Sequence, residues 1–165
     1  MKSIFRLGVV ALLAGAPGVA GAQESGIAVG AQAPGALVQT LDGKPIDIGS
    51  WVGKSPMLIE FWAFWCPNCK QLEPTLTALH RKYGSKVRFL NVAVSVSETR
   101  DRVKTFTAKK KYRWQTVYDA EGKATEAYDV PATSYVVVLD RSGKVVYTGL
   151  GGKQDLEPAL LKALR

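Results

Sequence analysis

Apolar and polar positions divide the chain into short segments whose period switches between two and about 3.6. Met57-Leu58-Ile59-Glu60-Phe61-Trp62 is an apolar run of strand length with one carboxylate inside it, and Val87 to Val96 is rich in β-branched residues. Both predict buried strands. Beyond Cys66 the spacing turns helical, with Leu72, Leu76, Leu79 and Tyr83 on one stripe and a kink expected at Pro74. A basic amphipathic helix is predicted from about Glu98 to Lys111, with Val103 and Phe106 inward. Thr116-Val117-Tyr118 predicts a short strand and Glu121 to Tyr128 a short helix. Hairpins are predicted for Leu37–Thr40 with Pro45–Ile48 across Asp42-Gly43, and for Ser134–Leu139 with Lys144–Tyr147 across Arg141-Ser142-Gly143. Leu156, Ala159, Leu160, Ala163 and Leu164 form a last helical stripe, with Pro158 in the first turn, where proline is tolerated. Strands alternating with helices place the chain in the α/β class, around a central sheet.

Lys2 and Arg6 precede an apolar stretch, Leu7 to Ala16, followed by Pro17-Gly18 and the small-x-small triplet Ala20-Gly21-Ala22. This predicts a secretory signal peptide over residues 1–22, with an uncleaved N-terminal membrane anchor as the alternative. Residues 23–35, rich in Gly, Ala and Pro without periodicity, read as a flexible lead-in, and 36–165 as one domain. A length of 165 residues leaves room for little else. No apolar run reaches the roughly 18 residues of a spanning helix.

The formal net charge is +8. Removing Lys2 and Arg6 from the 22 basic residues leaves 20 against 14 acids, or +6. Part of the excess is the run Lys109-Lys110-Lys111 with Arg113, expected near a helix C-terminus, where cations complement the macrodipole. With no recognisable nucleic-acid module, that run does not argue for a nucleic-acid partner.

Candidate chemistry concentrates in Trp65-Cys66-Pro67-Asn68-Cys69. Two cysteines two residues apart can close a small disulfide ring. At a helix start the first sulfur meets unpaired backbone N–H groups and the positive end of the dipole, which favours its thiolate as a nucleophile. The second, one turn inside, can resolve a mixed disulfide. A purely structural staple gains only about 2 kcal/mol over so short a loop. Two cysteines and one histidine, His80, are too few for a closed four-ligand zinc site, so no metal and no cofactor are expected. Glu60, a carboxylate in an apolar strand, should have a raised pKa unless it reaches solvent at a strand edge.

The stretch Leu58 to Lys70, with Pro74 and the downstream Val130-Pro131, resembles the thioredoxin superfamily. The secretory start, the leading hairpin and an extra strand and helix before the late proline are similar to its TlpA/ResA branch of extracytoplasmic thiol–disulfide oxidoreductases. The resemblance implies a thioredoxin-like fold: a central mixed β-sheet flanked by helices, with an N-terminal β-hairpin and a central βα insertion. It implies catalytic roles for Cys66, Cys69 and Glu60, with Glu60 taking the proton of Cys69, and a disulfide between Cys66 and Cys69. Val130-Pro131 would be a cis peptide facing the sulfurs; its alternative is an ordinary loop proline. Trp65, Pro67, Asn68, Val130 and Pro131 would border the substrate. ResA-type proteins carry a glutamate six residues after the first cysteine, where this chain has Leu72; the adjacent Glu73 is expected on another side of the helix. Ala132 follows the proline where thioredoxins often have Thr.

The implied partners are disulfides or thiols of exported proteins and an upstream thiol donor at the membrane, acting on a monomer in the periplasm. A net oxidant is the alternative direction. A Cu(I) chaperone using Cys66 and Cys69, with His80 as the one further candidate ligand, is the alternative class. No peroxidatic P-x-x-x-T-x-x-C segment is present.

Overall fold

The computed structural model describes residues 26–165; the expected signal peptide lies outside the described residues. Among the described residues seven strands form one mixed sheet: β1 (Leu37–Thr40), β2 (Pro45–Asp47), β3 (Met57–Trp62), β4 (Arg88–Val94), β5 (Gln115–Asp119), β6 (Tyr135–Leu139) and β7 (Val145–Leu150). Their order across the sheet is β2-β1-β5-β4-β3-β6-β7. The three central strands β5, β4 and β3 run parallel, and the flanking pairs β1–β5, β3–β6, β1–β2 and β6–β7 are antiparallel. The helices are α1 (Pro67–Tyr83), α2 (Arg100–Lys110), α3 (Lys123–Ala127) and α4 (Glu157–Ala163). The chain is an α/β protein with a mixed sheet flanked by helices, and β5 with α3 is the strand and helix inserted before Val130-Pro131.

Alternation along β3 builds two apolar layers. Met57, Ile59 and Phe61 face one cluster with Ile48, Val103, Ala124 and Tyr128. Leu58 faces the other, with Leu72 and Leu76 of α1, Val136 and Val138 of β6, and Leu156 and Leu160 of α4. Every residue of β3 is buried, as expected for a strand covered on both faces. Glu60 shares the α1 side with Leu58. Its register partner on β4 is Asn91, whose partner on β5 is Thr116, so a row of three polar side chains crosses the apolar sheet.

Helix α1 runs from Pro67 to Tyr83 with Pro74 inside it. Proline has no N–H to give the carbonyl of Lys70, and the apolar stripe of Leu72, Leu76 and Leu79 holds the helix to the sheet. Two sequence expectations are corrected. The lead-in is fastened from residue 26 onward: the N–H groups of Ile27, Gly30 and Ala33 donate to the carbonyls of Tyr128, Val145 and Gly143. These are backbone bonds, which leave no side-chain period to read. The Val130–Pro131 peptide is trans. The reversal is made instead by Asp129 at φ +48, with the Val130 N–H on the Thr125 carbonyl, so the lower-energy proline isomer serves.

The topology collects loops at one end of the sheet. The C-terminal ends of the parallel strands β3, β4 and β5 lead into 63–66, 95–99 and 120–122. Antiparallel β6 begins at the same end, where the Ser134 N–H donates to the Phe61 carbonyl at 2.8 Å. In open α/β sheets this end is where ligands bind.

Candidate active site

Cys66 is the N-cap of α1, in extended conformation (φ −71, ψ 118). The Cys66 N–H donates to the Ala63 carbonyl at 3.1 Å, which sets the tight turn leaving β3. Pro67 occupies the first helical position, where its missing N–H costs nothing. The next orphan donors belong to Asn68 and Cys69, and the Cys69 N–H donates to Cys66 Sγ at 3.2 Å. The sulfur therefore does the work of a capping oxygen. As thiolate it takes this bond as a charge-assisted one and sits at the positive end of the α1 dipole. Both thiols are free and nearly covered, with Cys66 2% and Cys69 6% exposed. Burial pushes the Cys69 thiol far up, with further contributions from the Cys66 sulfur and from Glu60.

Behind Cys69 lies a cavity of about 10 Å³, room for roughly one water. Glu60, Cys69, Lys70, Glu73, Asn91 and Tyr112 are among its walls. Glu60 is 3% exposed, and its Oε1 has no hydrogen-bond partner among the described residues. No ion pair among the described residues involves it. Burial, and then the nearby Glu73, push its carboxyl up to about 8. The strand-edge alternative is thereby excluded. Glu73 Oε2 pairs with Lys110 Nζ at 2.9 Å, and Glu73 is only partly exposed.

Trp65 is 41% exposed, with Nε1 donating to the Val96 carbonyl at 3.1 Å, whereas Trp62 is core. Pro67 and Asn68 are exposed at the helix start, as is Pro131, and Val130 is half-buried. A Cβ on Gly152 would lie 2.8 Å from the Asn68 carbonyl, so the loop after β7 presses against this turn. Lys109 and Lys110 do stand in the last turn of α2.

The family model described as Redoxin matches residues 28–164. The chain belongs to the Redoxin family. Among the relatives of this redoxin is the thiol-disulfide oxidoreductase ResA of Bacillus cereus, 29% identical over 168 positions that cover 98% of this chain and 96% of that protein. The thioredoxin-like protein YneN of Bacillus subtilis is 28% identical, over 84% of this chain and 82% of that one. The fold is shared with the crystal structure of a putative thiol:disulfide interchange protein DsbE from Chlorobium tepidum, at a TM-score of 0.74 and 24% identity, over 84% of this chain and 99% of that chain.

Within this redoxin site, three residues escaped the sequence reading. Glu73 was set on another helix face by counting from Cys66; counted from Cys69 it is i+4, one turn along the same stripe, and it lines the same cavity. Gly152 has no local signature. Glu98 is 6% exposed and its Oε1 accepts the Phe64 N–H at 2.8 Å, bridging residues 34 apart in sequence. Burial raises its carboxyl, opposed by that amide and by Arg102. Glu98→Ala should cost about 1–3 kcal/mol by orphaning the Phe64 amide, with Glu98→Gln recovering much of it. Urea denaturation of the two variants reads the difference; equal stabilities would deny the clamp. His80 is half-covered between Phe89 and Trp114 at ring distances of 5.1 and 5.2 Å, and burial lowers its pKa. It stands eleven residues beyond Cys69, about 16 Å along α1, and so supplies the sulfurs with no third ligand.

Proposed function

We propose that the protein is a thiol–disulfide oxidoreductase that reduces or exchanges disulfides of exported proteins through Cys66 and Cys69. The observation that carries this reading is the Cys66 sulfur acting as N-cap of α1 and accepting the Cys69 amide at 3.2 Å. The relatives named thiol-disulfide oxidoreductase support it.

The Cys66 thiolate attacks a client disulfide, forming a mixed disulfide and releasing one client thiolate. Cys69 then attacks the Cys66 sulfur. Its proton passes to the Glu60 carboxylate, the second client thiol leaves, and the protein keeps the Cys66–Cys69 disulfide. Two electrons have moved to the client, and an upstream thiol donor restores the dithiol. Sulfur exchange of this kind requires no cofactor. Glu60 is suited to its part because the Cys69 thiol, raised by burial, ionises rarely without a local base, and a carboxyl near 8 can exchange protons around neutrality. Trp65, Pro67, Asn68, Val130 and Pro131 border the approach to Cys66, the proline loop acting in its trans form. The leader supports an extracytoplasmic, periplasmic location, and the protein acts as a monomer. No helix among the described residues is long and apolar enough to cross a membrane.

The test is equilibration of the reduced protein with glutathione, followed by reduction of a protein disulfide with dithiothreitol as donor. A potential near about −270 mV with faster client reduction than dithiothreitol alone is expected; one near about −120 mV would make the protein an oxidant instead. No acceleration of exchange in either direction would overturn the function.

A further inference from the structure

We propose that the groove next to Trp65 selects clients that carry a lysine or arginine close to the reacting cysteine. This rests on the exchange reading and names the class of client it takes.

The groove has a volume of about 380 Å³ and runs between the end of β4 and the α3–β6 connection. Val94, Val96 and Val130 give it an apolar surface, and Val96 is 64% exposed. Among the described residues its charged lining consists of Glu126 and Asp129, with no lysine or arginine. Neither carboxylate joins an ion pair among the described residues, since the neighbouring Lys123 pairs with Glu121 at 2.8 Å. In a chain of net charge +8 this pocket runs against the overall sign. The groove is tied to the cysteine loop through Val96, whose carbonyl accepts Trp65 Nε1 at 3.1 Å, and Trp65 precedes Cys66 in the chain.

Asp129 Oδ2 takes the Gly26 N–H at 3.2 Å, and its Oδ1 has no hydrogen-bond partner among the described residues.

An apolar surface rimmed by two carboxylates matches one kind of side chain. Lysine and arginine lay an aliphatic stem along apolar surface and extend a cation beyond it. The stem would lie on Val96 and Val130, and the head would reach Glu126 and Asp129. An acidic flank in the same position would meet like charge without a counterion.

The test uses short peptides with a single cysteine coupled by a disulfide to the chromophore thionitrobenzoate, and with Lys, Gln or Glu two residues after the cysteine. Release of the chromophore follows attack by pre-reduced protein at 0.15 M salt, where charge effects beyond about 8 Å are screened. The Lys peptide should react about three- to tenfold faster than the Glu peptide, the range set by one or two partly exposed charge contacts. Glu126→Gln should shrink that ratio and Glu126→Lys should erase or invert it; Glu126 is exposed, so neither variant threatens the fold. Equal rates for the Lys and Glu peptides with the unmodified protein, or a ratio that survives Glu126→Lys, would overturn the inference and leave the exchange reading intact. A protein that reacts with none of the three peptides overturns both.

Discussion

Cys66→Ser is expected to lower client exchange about a thousandfold or more, whereas Cys69→Ser should keep the first attack and accumulate protein-bound clients as mixed disulfides. The asymmetry follows from where the two sulfurs stand. The Cys66 sulfur receives the Cys69 amide at 3.2 Å at the start of a 17-residue helix, so its anion is solvated by protein dipoles in place of water. Cys69 lies one turn in, against the cavity that holds Glu60, and burial resists its ionisation. A serine at position 66 cannot form the sulfur–sulfur bond that starts the cycle, and burial disfavours ionisation of the one thiol left, Cys69. A serine at position 69 leaves that first bond intact and removes the group that breaks it. Non-reducing gels of the two variants mixed with an oxidised client distinguish the outcomes. Mixed disulfides trapped by Cys66→Ser rather than Cys69→Ser would reverse the assignment.

What the sequence disclosed follows from how local each signal is. Strand β3 is found at the expected Met57 to Trp62 because a buried strand needs a short, mostly apolar run, bounded here by Ser55-Pro56 before it and the helix start at Cys66-Pro67 soon after. Cys66 at the mouth of α1 is legible because Pro67 is compatible with a first turn and Leu72, Leu76 and Leu79 set the helical phase. The burial of Glu60 follows from its apolar neighbours in β3. What lies between elements was hidden. The contact of Glu98 with the Phe64 amide joins two loops that only the parallel pairing of β3 and β4 brings together. The fastening of residues 26–33 uses mostly backbone groups, which any sequence possesses. The Val130–Pro131 isomer depends on the turn around it, and Asp129 at positive φ, a choice open to aspartate and not signalled by its neighbours, made a trans bond sufficient.

Glu60→Leu should make the reduced protein more stable at pH 8 and flatten the pH dependence of its stability between about 4.5 and 8. The carboxyl titrates near 4.5 as an ordinary glutamate and near 8 in the fold, because burial without a hydrogen-bond partner for Oε1 disfavours its charge. Between those values the folded chain holds a proton that the unfolded chain has released. Stability therefore falls as pH rises through this window, and the loss is complete above about 8. A shift of this size corresponds to roughly 4–5 kcal/mol, an upper figure for a group that is almost wholly buried. Leucine removes the titration and adds apolar contact beside Leu58 and Val136 in the same layer. Urea denaturation of wild type and variant at pH 5 and pH 8 isolates the effect, because Glu98 and His80 titrate in both proteins and cancel in the difference. The same substitution should slow resolution of the mixed disulfide about ten- to a hundredfold near neutral pH, since Cys69 loses its proton acceptor while attack by Cys66 is kept. In wild type the resolution rate should climb with pH toward 8 as Glu60 ionises. A stability difference that is the same at both pH values would place the Glu60 carboxyl in contact with solvent, and resolution unchanged from pH 6 to 9 would remove it from the proton transfer.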